Sequence, residues 1–383
     1  MSHPTFVSNR FTPNLRWLLF ALSLVLVHQE SDGAEIRFGI EGHYRVGRWT
    51  GVRVVEGSSV TSLETRDGDG VEVRYDQPGN NSTVVPDGEG LDRSDWSYVI
   101  PGSEAAPLIV RDDSGIITTT RFPTVGSPSR GAAMIPLEMP WLVVLGDPLG
   151  VDQIGANELL DRDAMVAVSR PSTADEFPDS SLGYDGVDMM MLGGSSRQLL
   201  AGLSDLQREA IANWIADGGW VVLTLGESTP DLLAAAPWLA SLLPIDDFEV
   251  VRIDPSAIET FTSSQTPLTP FSGVLLPKDQ GRALIMGRTT RRVSTPIAAE
   301  FNVGFGRITV IAADLEDELF AQWPERLDLI TQLTGSILVP NQEPPGRKNR
   351  STAYNDLAGQ VRSSLDQFDV KRQFGFSAVS YTH

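Results

Sequence analysis

The segment that decides the fold runs from Ser204 to Thr224 and reads SDLQREAIANWIADGGWVVLT. Ser204 and Gln207 have the spacing of a capping box, in which each side chain bonds the other residue's backbone N–H at a helix start. Apolar residues follow at helical spacing, and Gly218 can adopt the left-handed conformation that commonly ends a helix. The apolar run that begins at Trp220 is typical of a strand buried on both faces. The segment therefore predicts a helix that leads directly into a central strand of a parallel sheet.

The helix predicted over residues 204–217 has one apolar face. It consists of Leu206, Ala210, Ile211, Trp214 and Ile215. Side chains three and four positions apart lie on the same side of a helix, so these five form one stripe. We expect this stripe to pack against the buried strands 187–192 and 220–224.

The same alternation of apolar strands and amphipathic helices extends over residues 136–338. Strands are predicted at 141–145, 164–168, 187–192, 220–224, 248–253, 283–286, 297–301 and 307–312, and further helices at 151–160, 230–243 and 325–335. The last two strands are predicted to form a hairpin joined by Gly304-Phe-Gly306. Strands that alternate with helices, joined by right-handed crossovers, form a parallel sheet covered on both faces. We therefore predict a doubly wound parallel α/β sheet for this domain.

Residues 35–132 have a different pattern, in which apolar and polar residues alternate with a period of two. Ile36, Phe38 and Ile40 are one example, and clusters of Gly, Pro, Asn and Asp separate the short runs. This pattern predicts an N-terminal antiparallel β-sandwich domain.

The spacing of Asp67 and Asp69 resembles the start of a calcium-binding loop, but Val71 stands where a third oxygen ligand is needed. A turn between two strands explains the same residues.

The first 34 residues are typical of an export signal. Arg10 and Arg16 precede the apolar run 17–27, which is shorter than the roughly 20 residues that a membrane-spanning helix requires. We predict a signal peptide over 1–34, with cleavage after Ala34, and an exported protein in the periplasm or cell envelope.

The C-terminal residues 339–383 form a polar linker and an amphipathic tail. The tail is rich in positive charge for this chain, and an apolar run begins at Phe374, close to the last residue. The pattern is typical of a segment next to a membrane. We expect a membrane anchor beyond the present C-terminus.

Composition excludes several classes of function. The chain has no cysteine, and its histidines are His3, His28, His43 and His383. The body of the protein therefore has no Ser-His-Asp triad, Cys-His pair or histidine-rich metal site unless His43 contributes to it. The net charge of −20 disfavours binding to nucleic acid.

Two stretches of the chain resemble a known family. Residues 184–224, with their strand, Leu-Ser-x-x-Gln helix, Gly-Gly pair and second strand, are similar to the class I glutamine amidotransferase-like fold, as is the late strand 304–314. The resemblance is to the inactive versions in bacterial cell-envelope proteins, where a β-sandwich often precedes this domain and a transmembrane segment often follows it.

The active family has its catalytic Cys after the strand that matches 220–224. This chain has Thr224-Leu-Gly-Glu227 there and no counterpart of the catalytic His. The resemblance therefore implies the fold without the activity.

The residues that could form a site lie where the parallel strands end, because open α/β sheets bind ligands at that edge. The segments concerned are 147, 193–196, 226–228 and 314–316. From them we select six candidate ligand-binding residues: Asp147, Gly194, Ser195, Ser196, Glu227 and Asp314. The backbone amides of residues 194–196 could bind an anion. The alternative is that Ser195, Ser196 and Asp147 only cap turns.

Together these features predict a non-enzymatic exported protein with a binding or scaffolding role. We expect partners among envelope or membrane proteins, no nucleic acid, no cofactor and no metal. The alternative is a metal-dependent envelope hydrolase, in which Asp147 acts with Asp314 or Glu227 and the carboxylates hold magnesium.

Overall fold

The computed structural model describes residues 35–55, 60–77, 96–123, 133–153, 166–245 and 248–338. The predicted signal peptide and the predicted C-terminal tail lie outside these residues. Within the described residues, no helix has both the length and the apolar character needed to span a membrane.

The described residues between Glu35 and Met134 form short strands in three sheets. The strands are β1 (Glu35–Phe38), β2 (His43–Tyr44), β3 (Thr50–Val55), β4 (Ser62–Arg66), β5 (Glu72–Asp76), β6 (Trp96–Val99), β7 (Pro107–Asp112), β8 (Gly115–Arg121) and β9 (Ala133–Met134). Two sheets are antiparallel, with the strand orders β1-β3-β6 and β5-β4-β7-β8. A short parallel pair joins β2 to β9. The period-two pattern is therefore confirmed as antiparallel strands.

The two antiparallel sheets share one cluster of buried apolar side chains. Val52 comes from the three-stranded sheet, and Leu108 comes from the four-stranded sheet. Phe122 is the residue after β8. The centroid of its ring lies 5.0 Å from that of Phe38 and 5.2 Å from that of Tyr44. Burial of alternate residues from both sheets in a common core explains the alternation seen in the sequence.

The Asp67 segment is a turn between β4 and β5. The Asp67 carboxylate accepts hydrogen bonds from the backbone N–H groups of Asp69 and Val71, both at 2.9 Å. Gly70 has a φ of +81°, which suits the left-handed part of such a turn. The turn interpretation explains these residues without a bound ion.

The main sheet belongs to the second half of the chain. Its strands and the adjacent pair are β10 (Trp141–Leu145), β11 (Ala167–Ser169), β12 (Met189–Leu192), β13 (Trp220–Thr224), β14 (Val250–Ile253), β15 (Phe271–Val274), β16 (Arg282–Arg288), β17 (Ser294–Val303) and β18 (Gly306–Ile311). The seven-stranded sheet has the order β11-β10-β12-β13-β18-β17-β16, and β14 pairs only with β15.

This sheet is mixed, so the expectation of a parallel sheet holds for five of its seven strands. The hairpin predicted at Gly304 is confirmed, because β17 pairs with β18 in the antiparallel direction. β11, β10, β12, β13 and β18 run parallel to one another. β17 is antiparallel to both β18 and β16. The reason is the tight turn at Gly304, with a φ of +61°, because strands joined by so short a connection must run in opposite directions.

In the described residues of this half, seven α-helices accompany the sheet. They are α1 (Arg197–Ala201), α2 (Asp205–Ala216), α3 (Thr229–Ala235), α4 (Pro237–Ser241), α5 (Ser256–Thr262), α6 (Glu318–Ala321) and α7 (Arg326–Thr334). The single helix predicted over 230–243 is two helices, because Pro237 has no N–H and begins a new helix. At the predicted helix 151–160, a 3₁₀ turn spans Val151–Gln153, and the remaining residues lie outside the described part of the chain.

The helix α2 begins with the predicted capping box. The Ser204 hydroxyl accepts from the backbone N–H of Gln207 at 3.3 Å, and the Gln207 side chain accepts from the Ser204 N–H at 2.9 Å. The Gln207 amide also donates to the carbonyls of Ala174 and Phe177. Gln207 is therefore buried on the inner face, whereas Leu206, which we predicted there, is only half-buried.

The other four residues of the predicted stripe are buried. Trp214 packs against the ring of Tyr184, with 6.0 Å between centroids, and lies over Gly219 at the start of β13. The stripe thus contacts the chain around Tyr184 as well as the sheet.

We expect Trp214→Ala to lower the free energy of unfolding by about 3–5 kcal/mol, because truncation of a buried Trp leaves a cavity. Arg208→Ala is the control on the polar side of α2, where the ion pair with Asp205 is exposed and contributes little. Thermal and urea unfolding of both variants measure the difference. Equal losses in the two variants would contradict the assigned face.

The two halves of the chain are joined by buried polar contacts. The Arg45 side chain is 5% exposed and donates to the Asp188 carboxylate at 2.8 Å. The Tyr98 hydroxyl donates to the Asp179 carboxylate at 2.7 Å and accepts from the Ser180 N–H at 2.9 Å.

A third contact between the halves involves His43. Its Nδ1 lies 3.0 Å from the Ser169 hydroxyl, which also accepts from the Trp141 indole N–H at 2.8 Å. Burial lowers the pKa of His43, and the negative charge of Glu41 opposes this effect. The folded protein therefore favours neutral His43.

This preference predicts a loss of stability in mild acid. The unfolded chain takes up a proton on His43 near pH 6.5, whereas the folded chain resists protonation to lower pH. Stability is then present above about pH 6.5 and falls as the pH drops through that value. Urea unfolding at pH 7.5 and 5.5 should show a larger decrease for the native protein than for His43→Gln, which does not titrate. The same decrease in both would exclude His43 as the cause.

Candidate functional site

The carboxyl ends of β10, β12, β13 and β18 meet at one edge of the main sheet, because these four strands are parallel neighbours. The four loops that follow them carry all six predicted site residues. The structure brings Asp147, Gly194, Ser195 and Asp314 into one cluster, together with Glu316 and Ser228. We call this group the strand-end cluster.

Ser195 and Glu316 form the centre of the strand-end cluster. The Ser195 hydroxyl donates to Glu316 Oε1 at 2.7 Å, and the Ser195 backbone N–H donates to Glu316 Oε2 at 2.7 Å. The N–H of Asp147 donates to the Ser195 hydroxyl at 2.9 Å. The backbone donor that we predicted would bind an external anion is therefore bonded to the protein's own carboxylate.

Ser196 and Asp147 have the roles that the sequence left as the alternative to ligand binding. The Ser196 hydroxyl is buried and donates to the Gly193 carbonyl at 2.6 Å. The Asp147 carboxylate accepts from the Leu149 N–H at 2.7 Å and so stabilises the turn after β10. Glu227 is exposed and is not part of the strand-end cluster.

Asp314 has both carboxylate oxygens engaged. Oδ2 accepts from the Ser228 hydroxyl at 2.9 Å, and Oδ1 accepts from the Glu316 N–H at 3.1 Å. The loop after β18 is thereby bonded both to itself and to the loop after β13.

Three glycines allow these loops to approach closely. A Cβ added at Gly193 would lie 2.1 Å from Glu316 Oε1, and one at Gly194 would lie 2.4 Å from the Ser228 hydroxyl. At Gly226 the added atom would lie 2.5 Å from the Cβ of Asp314 and 2.8 Å from its backbone nitrogen. Any larger residue would have to displace its neighbours.

Burial raises the pKa of Glu316. The hydrogen bonds from Ser195 act in the opposite direction, while the negative charges of Asp314 and Asp147 raise the pKa further. The result is a partly buried carboxylate that is easier to protonate than an exposed one.

Residues 224–227 contain no cysteine or histidine. Thr224 is buried and donates to the Leu192 carbonyl at 3.4 Å. In the described part of the chain, no group of three or more His, Cys, Asp or Glu side chains is arranged to hold a metal ion. The strand-end cluster offers hydroxyl donors and carboxylates that already bond one another.

Sequence reasoning reached this edge but did not select all the residues that form the cluster. Glu316 and Ser228 lay in the candidate segments without being among the six chosen. The Asp-x-Glu spacing after β18 was the available signal. It did not reveal which carboxylate reaches the loop after β12, since that depends on side-chain direction.

No family model matches the sequence, and no curated protein matches it. Among solved structures, exo-β-1,4-mannosidase Op5Man5 from Opitutaceae bacterium strain TAV5 is 14% identical, with a TM-score of 0.29, 54% of this chain covered and 37% of the mannosidase. The cytoplasmic protein STM1381 from Salmonella typhimurium LT2 is 13% identical, with a TM-score of 0.30, 52% of this chain covered and 99% of that protein. The β-galactosidase from Bacillus circulans sp. alkalophilus is 11% identical, with a TM-score of 0.24, 46% of this chain covered and 29% of that enzyme. Similarities of this size support no statement about fold or activity.

The close approach at Gly226 gives a direct test of the cluster. We expect Gly226→Ala to cost about 1–3 kcal/mol, because the added methyl group meets the backbone of Asp314 and the packing must shift. Gly202→Ala is the matched control, since its added methyl group would have only ordinary contacts at 3.5 Å or more. Thermal unfolding compares the two variants. A loss at Gly226 no larger than that at Gly202 would show that the loops are not held this closely.

Proposed function

We propose that this chain is an exported cell-envelope protein that binds or scaffolds other molecules and has no enzymatic activity. Its second half would be a catalytically inactive glutamine amidotransferase-like domain, preceded by a β-sandwich. One observation carries the proposal. At the strand-end cluster, the Glu316 carboxylate accepts hydrogen bonds from both the hydroxyl and the backbone N–H of Ser195, which are the donors that a substrate or anion would otherwise use.

The arrangement of strands supports the proposed architecture. Five neighbouring strands of the main sheet are parallel, and β10, β12 and β13 are buried along their whole length. Such strands need cover on both faces, as in doubly wound domains. The core shared by the two antiparallel sheets supports a β-sandwich in the first half.

The chemistry of the cluster also supports a non-enzymatic role. A serine nucleophile needs a base that can accept its proton, and histidine usually fills that role near neutral pH. Glu316 is the only partner of this kind at Ser195 in the described structure, and its second oxygen is held by the Ser195 N–H. The carboxylate is therefore placed to fix the loop.

The second candidate is a hydrolase that uses carboxylates at the strand ends. The raised pKa of Glu316 favours it, because general acids often have raised pKa values. The hydrogen bonds that satisfy Asp314 and Glu316 internally weigh against it, as does the exposure of Glu227 to solvent.

Two assays on the purified protein separate these functions. We expect no release of ammonia from glutamine above a buffer blank, and no heat of magnesium or calcium binding in calorimetry. The control for any metal signal is Glu316→Gln, which removes the charge and keeps the shape. A heat of metal binding that disappears in Glu316→Gln would favour the hydrolase. Ammonia release by the native protein would refute the proposal.

The proposed location can be tested in the producing cell. The sequence predicts that the mature protein begins at Glu35, after removal of the signal peptide. N-terminal sequencing of the native protein and cell fractionation together check this. A cytosolic protein that retains Met1 would contradict export.

A further inference from the structure

The turn between β16 and β17 presents an unusual charge for this protein. Arg291 and Arg292 are both exposed at its tip. No carboxylate of the described residues lies within ion-pair distance of either guanidinium. By contrast, Arg282 and Arg288 on the adjoining strand are paired with Glu300 and Asp254. The turn is a local basic site on a chain with a net charge of −20.

The backbone of this turn is held in place by hydrogen bonds. The Thr289 N–H donates to the Val293 carbonyl at 2.8 Å, and the Arg292 N–H donates to the Thr289 carbonyl at 2.8 Å. The buried Thr289 hydroxyl accepts from the Val293 N–H at 3.1 Å. The Thr290 N–H donates to the carbonyl of Arg252 on β14, which ties the turn to a neighbouring strand.

Arg292 has a φ of +63°, a left-handed conformation that usually favours Gly or Asn. Glu41, Ala105, Leu149 and Ser263 also have a positive φ, so this conformation does not by itself identify a functional residue. At Arg292 it places a charged side chain in a turn that a glycine would form more easily.

Exposed apolar side chains lie in the same hairpin. Val293 follows Arg292 in the turn and is 50% exposed, and Met286 on β16 is 51% exposed. The hairpin therefore combines exposed apolar side chains with two guanidinium groups that no carboxylate of the described residues pairs.

We propose that the β16–β17 turn is a docking site for a carboxylate-rich segment of another protein. Arginine binds carboxylates through two parallel hydrogen bonds, and a braced turn loses little freedom on binding. Charge complementarity carries the choice, because two adjacent exposed guanidinium groups attract an anionic segment to a chain whose net charge is −20. This inference rests on the proposed binding role, and it identifies the β16–β17 turn as the surface that contacts the partner.

The tip fits an acidic protein segment better than an anionic membrane. Recognition of anionic lipid typically uses about four to eight clustered basic residues, and this turn has two. A membrane surface would also extend beside the acidic body and repel it. An acidic segment needs to approach only the tip and can place apolar side chains on Val293 and Met286.

The test uses a fluorescein-labelled octapeptide of alternating Glu and Val as the probe, with the full chain in low salt. Fluorescence anisotropy should show saturable binding that weakens by about five- to tenfold in the double variant Arg291→Gln with Arg292→Gln. The control double variant, Arg121→Gln with Arg170→Gln, removes two exposed positive charges elsewhere and should change binding less than about twofold. Arg292→Gly keeps the left-handed turn and should show an intermediate loss. Thermal unfolding verifies that each variant is folded.

Vesicles of phosphatidylglycerol and phosphatidylcholine provide the competing partner. We expect no co-sedimentation of the native protein with them. The proposal is wrong if the peptide does not bind, if both double variants weaken binding equally, or if vesicle binding is what the Arg291 and Arg292 variant loses. None of these results affects the glutamine and metal assays, so the proposed lack of catalysis stands or fails separately.

Discussion

Burial of the three central strands on both faces is the constraint on which the rest of the structure depends. All residues of β10, β12 and β13 are buried, and nearly all of them are apolar. Polar groups inside such a sheet would lose their bonds to water without replacement. Any reactive or binding group must therefore lie beyond the strand ends, and this is where the structure places Ser195, Asp314 and Glu316.

The loops at that edge then face a second requirement, because their own polar groups need partners. The structure meets it internally: Glu316 accepts both donors of Ser195, and Asp314 accepts the Ser228 hydroxyl. Such close bonding requires residues without side chains at Gly193, Gly194 and Gly226. The glycines in this region are thus explained by the packing of the cluster alone.

The sequence predicted those features that depend on short stretches of chain. The Ser204–Gln207 capping box and the buried strand after Gly219 follow from local spacing, and both are present. The antiparallel direction of β17 relative to β18 was predicted as well, because the short Gly304-Phe-Gly306 connection is typical of a hairpin. The inward position of Gln207 escaped prediction. Its buried side chain donates to the carbonyls of Ala174 and Phe177, and these long-range contacts cannot be seen in the local spacing.

The sequence predicted which loops meet at the strand ends, but it did not predict which of their side chains form the strand-end cluster. The rule that ligand sites lie at the carboxyl ends of parallel strands located all four loops correctly. Which carboxylate meets Ser195 depends on the path of the loop after β18, where Asp314 bonds the N–H of Glu316 and fixes that path.

That same bond bears on catalysis. A general base must be free to turn toward a substrate proton. Glu316 is held at two points: its backbone N–H donates to Asp314, and its carboxylate accepts two hydrogen bonds from Ser195. Its raised pKa is then a result of burial in a structural contact, and a shifted pKa alone does not identify an active site.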